Sequence, residues 1–159
     1  MTKEELIIAA SHLTPPVDRW LQEFSEKREA MAAEVNRDIS ARPDLEKLVG
    51  PDGKLMSADN NRNFSLFMES LMGHFHAEVL VDTALWVFRA YRAHGFQTVY
   101  WPANLNAWIT TLKQTISPEA FVEISPFYVW LITHIPDFVN LTDNMVNADA
   151  SAADIPTSH

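Results

Sequence analysis

Apolar residues recur three and four apart along most of this chain, and alternation at every second position is almost absent. That period belongs to amphipathic helices. A first helix is predicted over about residues 3–13. Thr14 followed by Pro15 and Pro16 has the form of a cap with prolines in the first turn, where a missing N–H costs nothing. Val17, Trp20, Leu21, Phe24, Met31 and Val35 then mark one face of a long helix reaching about Arg37. Pro43, Gly50, Pro51 and Gly53 punctuate residues 38–60 and leave room for a short helix over 44–49. Ser57 or Asp59 is placed to cap the next helix, whose stripe is Phe64, Phe67, Met68, Leu71 and Met72 and which either breaks at Gly73 or runs on past it.

The back half is more apolar. Residues 75–93 carry two interleaved series, one of Val81, Leu85 and Phe88 and one of Leu80, Ala84, Val87 and Tyr91. Two stripes predict a helix buried on more than one side. His94 falls in its last turn and Gly95 is placed for a left-handed cap. Pro102 opens a helix with Leu105, Trp108, Ile109, Leu112 and Ile116 on one face. Ser117-Pro118-Glu119 starts another, in which Phe121, Ile124, Tyr128, Leu131, Ile132, Ile135 and Val139 recur. Pro126 and Pro136 should kink or divide that run. Residues 143–159 are small, polar and aperiodic, which predicts one helical domain over 1–142 followed by a disordered tail.

Composition adds exclusions. The 159 residues are 47% hydrophobic, enough for one substantial core, and only four are glycine, as long helices require. A net charge of −9 repels a phosphate backbone or an anionic lipid surface, so neither nucleic acid nor a membrane is an expected partner. The absence of cysteine removes disulfides, thiolate metal sites and thiol nucleophiles. The charged start Met-Thr-Lys-Glu-Glu and the lack of a run of ~18 apolar residues point to a cytoplasmic protein.

Catalytic signals are poor. There is no Gly-x-Ser-x-Gly, and Gly50-Pro-Asp-Gly-Lys54 lacks the spacing of a phosphate loop. His74 and Glu78 share a helix face at i, i+4, a workable pair of metal ligands, with His134 or Asp82 as a third. That set would define a metal–carboxylate helical bundle, although the second Glu-x-x-His such bundles use is missing. His94 either complements a helix C-terminus or serves as an axial haem ligand facing a pocket of aromatics. The aromatics fill a packed core or else leave an apolar pocket, for which Trp86, Tyr91, Tyr100, Trp108 and Tyr128 are the candidates. Trp86 and Trp130 fall off the main stripes and, with the two-sided helix, point to a homodimer.

Several segments between Ala84 and Phe138, about a third of the chain, carry a family resemblance. They are Phe88-Arg-Ala-Tyr-Arg-Ala-His-Gly-Phe96, Tyr100-Trp-Pro102, the Leu105/Trp108/Leu112 stripe and Ser125-Pro-Phe-Tyr-Val-Trp130. Their order resembles the globin fold, in particular the globin-like sensor domains of bacteria, including the non-haem stressosome sensors. The resemblance implies an all-α, globin-like bundle of about six to seven helices. It also implies a non-catalytic sensory or regulatory role without a cofactor, in which the aromatic half binds a small apolar ligand or a protein partner. In haem-binding globins the proximal histidine precedes the penultimate helix by a short turn, and His94 stands in that place. The haem alternative therefore makes His94 the axial ligand of a gas sensor or carrier. The distal position falls near Phe64 or Ser65, where no histidine stands.

Overall fold

The first helix is fixed by a capping box: Thr2 accepts from the Glu5 N–H, and the Glu5 carboxylate reaches back to the Thr2 N–H. In the computed structural model, which describes Met1 to Ala153 and side chains as far as Asn144, eight helices follow one another and no strand is found among the described residues. They are α1 (Lys3–Ala10), α2 (Asp18–Ser40), α3 (Leu45–Val49), α4 (Gly53–Gly73), α5 (Ala77–Ala93), α6 (Tyr100–Thr115), α7 (Pro118–Thr133) and α8 (Ile135–Ala153). The fold is all-α, as the periodicity predicts. None of these helices is long and apolar enough to cross a membrane.

Local rules account for several boundaries. α5 closes with a Schellman turn, in which Phe96 N–H bonds the Tyr91 carbonyl at 3.0 Å and Gly95 N–H bonds that of Arg92 at 3.1 Å. Gly95 takes φ 96°, which only glycine adopts cheaply, and the Phe96 ring packs on Tyr91 at 5.0 Å. Ser117 caps α7 through the Ala120 N–H, with Pro118 in the first turn. Pro136 divides the last apolar run at His134, where α7 stops and α8 begins, whereas Pro126 stays inside α7.

Other boundaries differ from the pattern. Thr14 caps nothing: Pro15 and Pro16 lie in the connection, and α2 starts at Asp18. A carboxylate 106 residues away supplies the missing acceptor, since Glu123 takes the Val17 N–H at 3.1 Å and the Trp20 indole N–H at 2.7 Å. α4 begins at Gly53, so Ser57 is an interior residue and hydrogen-bonds the Tyr100 hydroxyl at 2.7 Å instead of capping. α6 starts at Tyr100, two residues before Pro102. At the C-terminal end the expected tail begins inside α8, which runs to Ala153 because this alanine-rich stretch holds no Gly or Pro before Pro156. Residues 154–159 of the expected tail lie outside the described residues.

α2 packs on α4 and α6, α6 on α7, and α5 on α1 and α8. The centre is aromatic, with Trp108 held edge-on by Phe64 at 5.6 Å and stacked on Tyr128 at 6.0 Å. A half-buried polar strut ties α2 to the start of α7. The Glu23 carboxylate accepts from the Ser117 N–H at 2.6 Å, its hydroxyl at 2.8 Å and Lys27 at 3.2 Å. Burial alone would raise the Glu23 carboxyl, but the Ser117 hydrogen bonds and the Lys27 charge outweigh it and hold it below its ordinary 4.5. A depressed carboxyl stabilises the fold fully above its unfolded value, and this contribution disappears as pH falls below 4.5 through the folded value. Glu23→Ala is expected to cost about 2 kcal/mol at neutral pH. Melting temperatures between about pH 6 and about pH 3 should fall less steeply for Glu23→Gln than for the native chain.

Candidate functional site

α4 and α5 are joined by a short non-helical turn at 74–76, where His76 has extended backbone angles (φ −135°, ψ 115°) and His74 has left the helix (φ −139°, ψ 70°). α4 then follows α2 while α5 follows α1 and α8, and the two helices diverge. The space between them is a cleft of about 270 Å³.

Its walls are set by helical register. Asn60, Asn63, Phe64 and Phe67 line it from α4. From α5 come Leu80, Ala84, Val87 and Tyr91, which are the second stripe of that helix, joined by Thr83 and Phe88. The two-sided pattern of α5 thus has a physical meaning: one side packs on neighbouring helices, the other faces this space. Trp101, Asn104 and Leu105 of α6, with Leu131 and Phe138, close it, and Trp86 stands at its edge with 66% of its surface exposed. None of the sixteen lining residues is charged, and burial with the nearby Asp59 charge holds the Tyr91 hydroxyl in its neutral form by raising its pKa. An apolar cavity of roughly 150 Å³ stays dry and takes benzene, so by simple scaling this one suits a guest of about ten non-hydrogen atoms.

Beneath the wall lies an amide network centred on the fully buried Asn61. Asn61 of α4 accepts from Asn104 Nδ2 at 2.8 Å and from Trp108 Nε1 at 2.9 Å, and donates to Asn36 Oδ1 of α2 at 2.7 Å. It joins α2, α4 and α6 through groups that would otherwise be buried without partners.

Of the pocket candidates, Trp86 and Tyr91 line the cleft, whereas Tyr100, Trp108 and Tyr128 are fully buried and are not among its lining residues. Burial pushes the Tyr100 hydroxyl up to about 12 despite its bond to Ser57, and raises that of Tyr128 further. Trp130 is buried, packed on His134 at 4.5 Å and Phe138 at 5.9 Å, and so offers no dimer surface. His94 is exposed at the end of α5 and outside the cleft wall. His74 ends α4 and Glu78 opens α5, so the helical i, i+4 pairing expected of them is not formed. His134, at the α7–α8 junction, bonds Asp137 at 3.0 Å, and among the described residues no three His, Cys, Asp or Glu form a group that could hold a metal ion.

Asn60 and Asn104 belong to the cleft wall but were not singled out by the pattern, and Trp101 stood out only within the Tyr100-Trp-Pro102 segment, not as a pocket candidate. The available signal was polar residues in an apolar register: Asn61 precedes Ser65 and Met68, and Asn104 lies between Trp101 and Trp108 at helical spacing. No protein-family model, curated protein or solved structure matches this chain.

Proposed function

We propose that this chain is a non-catalytic ligand-binding domain of sensory or regulatory type, taking a small, neutral, apolar molecule into the cleft between α4 and α5. The observation that carries this reading is the uncharged wall around about 270 Å³ of space. The globin-like class stays part of this proposal on the sequence segments quoted above, and the exposed position of His94 outside the wall favours its non-haem form. α5 is wall to the ligand and support to α8 at once. Arg92 near its end bonds Thr142 at 3.0 Å and Asp143 at 2.5 Å, so a shift of α5 on filling would be felt by α8 and by a partner protein resting there. Support for a homodimer is confined to α5, where exposed Val79 and Trp86 share one face.

Thermal melting tests the reading. With indole at about 100 times its Kd, the melting temperature is expected to rise by roughly 5–10 °C, because the bound state gains about 2.7 kcal/mol. An unchanged melting temperature with indole, toluene and naphthalene alike would remove the basis for a ligand site.

A further inference from the structure

Two polar atoms on residues of the cleft wall have nothing to bond. Trp101 Nε1 and Asn104 Oδ1, one turn apart on α6, lack any hydrogen-bond partner, and their residues are 5% and 2% exposed. The orientation of Asn104 is dictated by its neighbours. An indole N–H only donates, so the Asn61 atom 2.9 Å from Trp108 Nε1 is an oxygen. That same oxygen lies 2.8 Å from Asn104, which must therefore present its NH2 group there. Asn61 Nδ2 is already engaged by Asn36. What remains is an orphan acceptor, Asn104 Oδ1, one helical turn along α6 from the residue that carries an orphan donor, Trp101 Nε1.

Unpaired buried groups of this kind cost free energy that a guest with matching groups recovers. We infer that Trp101 Nε1 and Asn104 Oδ1 are a polar subsite of the cleft, selecting a neutral ring compound whose hydroxyl accepts from Trp101 and donates to Asn104. A carboxylate or ammonium head is rejected, because no charged residue lines the wall to pair with it. Both atoms are shut off from solvent, so contact requires α5 to move outward, and α5 packs on α1 and α8 rather than on α4. The subsite rests on the cleft accepting a ligand at all.

Titration calorimetry of the full chain with naphthalene, 2-naphthol and 2-naphthoate separates the two ideas. 2-Naphthol is expected to bind at least about tenfold tighter than naphthalene, and 2-naphthoate at least about tenfold weaker than 2-naphthol. A purely apolar cleft predicts the opposite order for the first pair, since naphthalene is the less water-soluble. Trp101→Phe keeps an aromatic ring and removes the donor. It should bring the 2-naphthol advantage over naphthalene, both measured on the same variant, below about threefold. If naphthalene binds and 2-naphthol binds no tighter, or if 2-naphthoate binds tightest, the subsite is overturned and the cleft survives. If none of the three binds, the cleft reading itself falls and the subsite with it. The native-chain comparison decides the matter even if Trp101→Phe fails to fold.

Discussion

Asn61→Ala is expected to lower the stability of the chain by about 3–5 kcal/mol, the largest loss for any single polar substitution here. The side chain is fully buried and its three hydrogen bonds reach α2 and α6 from α4. Truncation strands two buried donors, Trp108 Nε1 and Asn104 Nδ2, and each orphan costs roughly 1–3 kcal/mol. Against a total of about 5–15 kcal/mol for a typical domain, that is a large share. A fall in melting temperature on the order of 10 °C should accompany it. Asn61→Leu separates the causes, since leucine restores most of the volume but none of the acceptor. The hydrogen-bond account predicts that both variants are similarly destabilised in urea unfolding. Full recovery by leucine would mean that volume alone mattered.

The second large effect is on binding. Ala84 lies on the stripe of α5 that faces the cleft, and Ala84→Phe projects a ring into the space a guest would use. Affinity for indole or naphthalene is expected to drop by more than about 100-fold, equivalent to roughly 2.7 kcal/mol. Stability should hold or rise slightly, because filling an apolar void offsets the lower helix propensity of phenylalanine, a cost below about 0.7 kcal/mol. Loss of binding together with a destabilisation of about 3 kcal/mol or more would instead indicate overpacking of a site that was already full. The contrast with Asn61→Ala is the useful part: one variant breaks the support, the other occupies the space.

Much of the fold was legible because helices write their buried face into the sequence every three or four residues. α2, α3, α5 and α7 lie close to where Phe24, Leu48, Leu85 and Ile124 and their neighbours predict. The ends that went astray were set by distant groups. Thr14 has the right chemistry for a cap, yet Glu123 of α7 provides the acceptor for Val17, and no local pattern contains a carboxylate 106 residues beyond Val17. Ser57 failed as a cap for a related reason, its hydroxyl being claimed by Tyr100. The two stripes of α5 were plain in the sequence. What the second stripe faces was not, because the gap between α4 and α5 arises from which helices carry each of them. His74 and Glu78 illustrate the converse: their spacing is helical, but the chain between them is not. The orphan atoms of Trp101 and Asn104 become visible only once the partners of Asn61 are known.

Methyl-resolved NMR of the native chain during titration with indole tests the central claim most directly. The account predicts that the methyl signals of Leu80, Ala84, Val87, Leu105 and Leu131 shift together and saturate at one equivalent, while Leu6, Leu48 and Leu112, buried elsewhere in the core, stay in place. Signals that do not move, or that drift across the surface without saturating, would contradict it.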